Sequence, residues 1–281
     1  IGARTYNELL ELYNYHRITY KNNFYVYLNG HLFNNEDGLK NNLIKKEKYL
    51  YDVHFSGIGY ENKWLLLQFG QGTQNWSANY DIELNLSENS EPYNYGTLGL
   101  DFNMLRVKYF YGFLESDMNH INRYITGRGI EWTNKKSMII SLSEIVIYSG
   151  IDRSFDFSYL NPMSTHLEIE LNDRTNRLGS GNGNGIWQAS IDALIVSKIR
   201  FSGNYLVDEF VLDREQINDG KASGTAYSYK IVYNHDFISN SILSMYFSKV
   251  KIGTYTFRHQ YGYNNFVQAN KPLGSRLGSD C

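Results

Sequence analysis

The sequence predicts an all-β fold, an antiparallel up-and-down β-barrel that spans a membrane. Three observations predict it: apolar and polar residues alternate along most of the chain, the alternating runs are about 10 residues long, and aromatic residues (16%) are frequent while charged residues (20%) are few. Strands of soluble proteins usually have about 5–6 residues, whereas a tilted strand needs about 9–11 to cross a membrane. A large soluble β-sandwich is the alternative that this pattern leaves open.

The alternation is clearest in four segments, in which every second residue is apolar. They are Leu105–Phe113, Leu167–Leu171, Trp187–Ile195 and Tyr227–Tyr233. Successive side chains of a strand point to opposite faces, so each segment is expected to be a strand. Turn-forming residues separate such runs at Asn34–Gly38, Asn134–Lys136, Asn218–Gly220 and Asn234–Asp236.

A short helical segment near the N-terminus competes with the strand interpretation there. Tyr6, Leu9, Leu10 and Tyr13 are spaced like one face of a helix, although the run is short.

In two of the alternating segments, the apolar residues change from every even position to every odd position, or the reverse, partway along the segment. In Met138–Tyr148 and in Arg200–Asp213, the apolar residues move to the other parity at Ser143-Glu144 and at Asp208-Glu209. A β-bulge would produce such a change and often lies near a functional site. The alternative is that these acidic residues mark the water level at the rim of a barrel.

Composition also narrows the function. A net charge of −2 argues against a nucleic-acid partner, which would require a basic excess. The one cysteine, Cys281, allows neither an internal disulfide nor a cysteine-based zinc site, and the seven histidines lack metal-ligand spacing. We therefore expect no metal and no cofactor. Carboxylates at Glu131, Glu144, Asp208 and Glu209 could pair for glycoside hydrolysis, but no motif supports an enzyme.

Five segments, in order, resemble the capsule assembly Wzi family of outer-membrane β-barrels. They are Phe69–Gly99, Tyr111–Trp132, Leu142–Met163, Phe201–Asp213 and Val250–Asp280. The clearest elements are YGFLESDMNHINRYITGRGIEW, SEIVIY followed by YLNP, the VDEF of the fourth segment, and YTFRH followed by KPLGSRLGSD. Arg128-Gly129 stands where the family has His-Arg, so a role for that histidine is not carried over.

The resemblance implies a non-enzymatic protein of the bacterial outer membrane that takes part in the assembly and attachment of capsular polysaccharide or exopolysaccharide at the cell surface. Implied partners are surface polysaccharide, outer-membrane lipid and the capsule export machinery. Implied polysaccharide-binding residues are Arg128, Glu131, Trp132, Asp208 and Glu209. Aromatic rings would stack on sugars, amides would bond hydroxyls, and many weak contacts would hold a long polymer.

Two other functions remain open: a diffusion channel for oligosaccharides and a soluble β-rich carbohydrate-active enzyme. Residues 1–281 are expected to form a single barrel domain. Because family members are longer and a barrel must close in lipid, this domain is expected to be incomplete at one or both ends.

Overall fold

The structure is a computed structural model that describes residues 2–6, 9–33, 50–76, 82–176, 183–208, 224–238, 241–258 and 262–278. Within these residues, one antiparallel sheet of 13 strands dominates, and each strand pairs with the next along the chain. The strands are β1 (Gly2–Tyr6), β2 (Leu9–Tyr20), β3 (Phe24–Phe33), β4 (Leu50–Glu61), β5 (Leu65–Gly72), β6 (Tyr93–Phe102), β7 (Leu105–Ser116), β8 (Ile121–Thr133), β9 (Met138–Ile151), β10 (Gly183–Val196), β11 (Ile199–Val207), β12 (Thr225–Ile238) and β13 (Ser241–Ile252). This order confirms the predicted all-β, antiparallel, up-and-down architecture.

The strands from β2 to β13 are long. They have 8 to 14 residues, and most are therefore as long as or longer than the about 9–11 residues that a tilted membrane-crossing strand requires. Among the described residues, β1 and β13 each pair on one side only.

The two ends of the sheet differ in their connections. Short turns at residues 21–23, 62–64, 103–104, 134–137 and 197–198 lie at one end, which we call the short-turn end. Connections of 16 to 31 residues follow β3, β5, β9 and β11 at the other, the long-loop end, where the four-residue turn 117–120 between β7 and β8 also lies. Bacterial membrane barrels show the same asymmetry, with short turns in the periplasm and longer loops outside the cell.

Asparagine shapes several of the tight turns. Asn22 and Asn103 have φ of 60° and 75°, a left-handed conformation that asparagine tolerates. The Asn134 carboxamide oxygen accepts hydrogen bonds from the backbone N–H groups of residues 136, 137 and 138 at 2.9–3.0 Å, so the turn predicted there is confirmed. The turn predicted at Asn234–Asp236 is wrong, because these residues continue β12 and pair with β13. The other two predicted turns lie outside the described residues.

Residues that face each other across paired strands point to the same side, so the register separates two faces. One face is apolar: Ile18, Val26, Ile58, Leu67, Phe69, Leu100, Val107, Ile130, Leu142, Ile191, Ile231 and Phe247. The other is polar: Arg17, Gln68, Thr97, Lys108, Glu131, Ser143, Gln188, Ser202, Asn204, Ser228 and Lys230. The apolar face is the outer, lipid-facing one, and the polar face is the inner one.

Exposed aromatic side chains lie near the short-turn end: Tyr20, Phe24, Trp64, Phe102 and Trp132. Such rings form the girdle at a membrane–water interface. Together with the apolar outer face, this girdle marks the level at which the strands pass from the hydrocarbon core of the membrane into water.

The change of phase in β9 is not a β-bulge. The register of β9 with both neighbours runs without a shift through Ser143 and Glu144. Ile140 and Leu142 belong to the exposed outer face, whereas Ile145 and Ile147 are fully buried on the inner face. The phase changes because chain segments cover the inner face at the long-loop end. The rim alternative does not describe Glu144 either, because its side chain is 5% exposed and therefore marks no water level.

Helices are short. The α-helix α1 (His166–Leu171) and the 3₁₀-helices Phe157–Leu160 and Gly262–Asn264 lie in connections, as does a small hairpin of β14 (Val267–Gln268) and β15 (Lys271–Pro272). The strand predicted over Leu167–Leu171 is wrong: Thr165 caps a helix there, its hydroxyl accepting from the Glu168 N–H at 3.2 Å.

The predicted helical segment near the N-terminus is also wrong. Residues 9–20 form β2, which pairs with β3 from Glu11↔Phe33 to Tyr20↔Phe24. The helix-like spacing covers only about two turns, and the aromatic and β-branched residues that follow it favour a strand.

In the described part of the chain, no helix is long and apolar enough to cross a membrane.

Candidate functional site

Two chain segments cover the inner face at the long-loop end. They are residues 82–92 and residues 253–278 without 259–261, and we call them the plug. Leu84 and Leu86 of the first segment pack with Phe257, Phe266 and Leu273 of the second in one buried cluster. The barrel side of this cluster consists of inner-face residues: Tyr93, Tyr95, Phe110, Leu114, Ile125, Ile145, Ile147, Ile186, Leu206, Ala226 and Ile252. The plug therefore has an apolar core of its own against the wall.

The two plug segments are also joined by hydrogen bonds. The Ser87 N–H donates to the Leu273 carbonyl at 2.8 Å, and the Ser87 hydroxyl donates to the Gly274 carbonyl at 2.6 Å. The Ser275 N–H donates to the Leu84 carbonyl at 3.2 Å. At Gly274 a Cβ atom would lie 1.9 Å from the Leu84 carbonyl oxygen, so only glycine fits there.

Arg123 of β8 fastens the plug to the wall. Its guanidinium donates to the carbonyl oxygens of Tyr263, Asn265 and Val267 at 2.6, 2.8 and 2.9 Å and also pairs with the Glu115 carboxylate. The Arg123 side chain is 6% exposed, so these partners replace water almost completely. Charge-assisted hydrogen bonds of this kind are among the strongest polar contacts in proteins.

A second anchor is Asn264, which is fully buried. Its side-chain oxygen accepts from the Ser149 hydroxyl at 2.7 Å, and its carbonyl accepts from the Asn184 amide at 3.1 Å. Gln268 donates to the Leu114 carbonyl of β7 at 3.0 Å. The plug is thus tied to strands β7 to β10 through buried polar groups.

The first plug segment carries an acid with a perturbed pKa. Burial raises the pKa of the Glu83 carboxyl to about 7, and the negative charge of Glu88 acts in the same direction. The Asn75 amide donates to this carboxylate and partly opposes the shift.

Below the plug, the inner face is polar. Gln188 donates to Ser190 and Asn204, and Asn204 donates to Ser228, at 2.9–3.3 Å. Arg106 bridges two carboxylates, donating to Asp101 at 3.1 Å and to Glu131 at 2.8 Å. These networks form a hydrophilic wall toward the short-turn end.

A groove of about 550 Å³ lies on the sheet near the long-loop end. Rings on the outer face line it, together with the amide side chains of Gln71 and Asn94. The rings are Phe69, Tyr111, Phe113, Tyr124 and Phe155. Gly96 lies on the same face and lets the Phe69 ring lie close to the sheet, since a Cβ atom there would be 2.9 Å from that ring. Phe155 and Tyr111 have ring centroids 4.2 Å apart. Aromatic faces beside amide donors and acceptors suit a sugar chain.

The residues predicted to bind polysaccharide are not brought together in one site. Arg128 and Trp132 lie on the outer face of β8, and Glu131 lies on its inner face, in the ion pair with Arg106. Asp208 follows β11 and accepts from the Phe257 N–H of the plug. Glu209 lies outside the described residues.

Arg128 is buried. Its Nε lies 3.2 Å from the Glu144 Oε2, and the two side chains are 8% and 5% exposed. The Glu144 carboxylate also accepts from the His166 N–H at 3.0 Å. The loop segment that follows β9 therefore covers this pair on the outer face.

Sequence reasoning missed the plug and the groove. A signal for the plug was present, because Phe257, Phe266 and Leu273 are apolar residues in a glycine- and asparagine-rich segment without strand periodicity. Nothing in the sequence indicates that Phe155 meets Tyr111, which is 44 positions away. In the described residues, no group of three or more histidine, cysteine, aspartate or glutamate side chains could hold a metal ion.

Comparisons with known proteins support the fold. No protein-family model and no curated sequence matches the chain. Among solved structures, the chain is similar to Wzi, described as an outer-membrane protein involved in group 1 capsule assembly in Escherichia coli and as a carbohydrate-binding β-barrel. The TM-score is 0.65 at 14% identity, over 97% of this chain and 58% of that one. The chain thus spans 58% of the length of the Wzi structure.

Two further structures are OmpT, an outer-membrane protein of Vibrio cholerae, and OpdL of Pseudomonas aeruginosa. OmpT has a TM-score of 0.42 at 7% identity, over 92% of this chain and 82% of that one. OpdL has a TM-score of 0.24 at 12% identity, over 86% of each chain. Of the three likenesses, that to Wzi supports a shared fold, because the other two TM-scores are below 0.5. The fold is that of a bacterial outer-membrane β-barrel, as the sequence predicted, and the soluble β-sandwich is not the fold of this chain.

Proposed function

We propose that this chain is a non-enzymatic outer-membrane β-barrel of the Wzi family that binds surface polysaccharide and helps to hold it at the cell surface. The observation that carries the proposal is the likeness to a carbohydrate-binding barrel over 97% of the chain. The five ordered sequence segments that resemble the Wzi family support it independently. Contact with capsule export machinery stays a prediction from that resemblance.

The groove is the part of the described surface best suited to a glycan. Phe113 lies eight residues above Leu105 on β7, which corresponds to a height of roughly 21 Å for a strand tilted by about 40°. An apolar band is about 25 Å tall, so the upper part of the groove, at Phe113 and Phe155, lies near the upper edge of the band, whereas Phe69, only four residues above Leu65, faces lipid. Phe155 and Phe113 are each 37% exposed and can offer a ring to a sugar.

The groove is also better placed for direct contact than two of the predicted residues. Arg128 and Asp208 are only 7% and 4% exposed and bind other parts of the chain. We therefore assign Arg128 and Asp208 to structural roles.

Binding to a glycan array that carries capsular polysaccharides and hexose oligosaccharides tests the proposal. Phe155→Ala combined with Asn94→Ala is expected to weaken binding at least tenfold, because one stacking ring and one amide are lost. Phe102→Ala, an exposed ring at the short-turn end, is the matched control and keeps full binding. Equal binding by all three proteins would contradict the assignment of the groove. A bound glycan that is shortened during incubation would contradict the absence of enzymatic activity.

The polar inner face favours one second candidate, a diffusion channel for oligosaccharides. The plug counts against it, because two segments with a buried apolar core occupy the inner side of the wall. Conductance in planar bilayers separates the two functions. We expect little conductance from the anchoring barrel, and a stable open-pore current would favour the channel.

A further inference from the structure

The connection between β9 and β10 lies on the outer face of the barrel. Tyr159 and Ile169 of this connection pack in one buried cluster with Tyr109, Tyr111, Tyr124, Val146 and Tyr148. These five belong to the outer face of β7, β8 and β9. The rings of Tyr148 and Tyr159 stack at 4.7 Å and 11°. We call residues 156–176 the outer cover, and Phe155, which lines the groove, directly precedes it.

The outer cover lies at a level that the membrane must reach. Trp132 marks the girdle at the short-turn end, and Arg128 is four residues above it on the same face. At about 2.6 Å of height per residue, Arg128 and Glu144 lie roughly 10 Å above the girdle, inside an apolar band about 25 Å tall. A charge that faces lipid near the midplane costs about 2–4 kcal/mol, so an uncovered pair would oppose insertion.

The backbone of the outer cover meets the requirement that polar groups in lipid be satisfied within the protein. The Asn161 carbonyl accepts from the Arg128 guanidinium at 3.1 Å, and the His166 N–H donates to Glu144. The Tyr159 carbonyl accepts from the Tyr109 hydroxyl at 2.6 Å. Irregular backbone is thus bonded to side chains of the barrel wall beneath it.

The opposite side of the outer cover is apolar and exposed. Its side chains, with their exposed fractions, are Phe157 (78%), Leu160 (38%), Met163 (75%), Leu167 (53%) and Leu171 (75%). On the strand wall nearer the short-turn end, the outer-face residues Ile130, Ile140 and Leu142 of β8 and β9 are exposed as well. Large exposed apolar side chains in number mark an interaction surface, and here they lie on the same side of the barrel as the surface that faces lipid. Glu168, between Leu167 and Leu171 in α1, is paired with Arg174 at 2.8 Å.

We propose that the outer cover is embedded in the outer leaflet, where its five exposed apolar side chains contact lipid acyl chains. The cover takes the place of the strand wall as the lipid-facing surface over β7 to β10. The Arg128–Glu144 pair beneath it is protected from lipid and holds the cover in place.

Nitroxide spin labels on the outer cover measure directly whether it is exposed to lipid or to water. In the Cys281→Ser background, single cysteines replace Leu167 or Leu171, and the barrel is reconstituted in vesicles of phosphatidylethanolamine and lipopolysaccharide. Leu142→Cys is the lipid reference, since it is 64% exposed on the outer face, and Met118→Cys in a long-loop-end turn is the water reference at 99%. Collisions with molecular oxygen report lipid, and collisions with a water-soluble nickel chelate report solvent.

We expect labels at 167 and 171 to collide more with oxygen than with the chelate, as at 142, and the order to reverse at 118. Labels at 167 and 171 that match 118 would overturn the proposal. Heat-modifiable migration in gels verifies that each variant is folded. If a label at 167 or 171 prevents folding, Phe157→Cys gives the same reading, because Phe157 is the most exposed of the large apolar side chains of the outer cover.

Discussion

Arg123→Met is the most direct test of how the plug is held. The substitution keeps the apolar stem and removes four donated contacts, three to plug carbonyls at 2.6–2.9 Å and one to Glu115. Removing one partner from a buried charged network costs about 3–5 kcal/mol, because the remaining groups stay buried without donors. At about 4 kcal/mol, the population of undocked plug rises roughly 700-fold, since each 1.4 kcal/mol is tenfold.

Hydrogen–deuterium exchange of residues 262–278 in detergent micelles measures this change. We expect exchange in this segment to accelerate by two to three orders of magnitude, while exchange in the strands β2 to β5 stays unchanged. Arg123→Lys should give an intermediate rate, because an ammonium cannot reach all four acceptors at once. Arg174→Met is the matched control: Arg174 is 58% exposed and pairs with Glu168 on the surface, so little should change. Exchange in Arg123→Met within threefold of the wild type would refute the anchoring role.

Because burial raises the pKa of Glu83 from its ordinary 4.5 to about 7, the folded segment binds a proton that the unfolded chain releases between these values. Exchange protection of residues 82–92 should therefore fall as the pH rises from 4.5 to about 7 and then level off, and Glu83→Gln should abolish this dependence. Gly274→Ala should undock the plug, because its Cβ would meet backbone at 1.9 Å, whereas Gly262→Ala, with its nearest atom at 3.9 Å, should leave proteolysis of the plug unchanged. Leu142→Arg on the lipid-facing surface should cost about 2–4 kcal/mol in unfolding from vesicles, while Ser141→Arg, inward and opposite Glu131, should be tolerated. If Leu142→Arg and Ser141→Arg lower the free energy of unfolding equally, the lipid-facing and inner faces are assigned wrongly.

The candidate site was only partly predictable. Arg128 was expected to bind polysaccharide, yet its guanidinium is buried and bound within the chain, as is that of Arg123. Their partners are remote: Arg123 binds the carbonyl of Tyr263, 140 positions away. A sequence shows that a cation is present in a strand, but its partner depends on which loop folds back over that strand.

The sequence by itself determined the strands and their two faces. Alternation assigns Leu142 and Ser143 to opposite sides because the side-chain period of a strand is two, and this holds wherever the strand lies. Only the tertiary structure decided what covers each face. Ile145 and Ile147 are apolar because the plug lies on them, and Glu144 can remain on the outer face because the outer cover encloses it. These contacts join distant parts of the chain, and periodicity, which is local, contains no information about them.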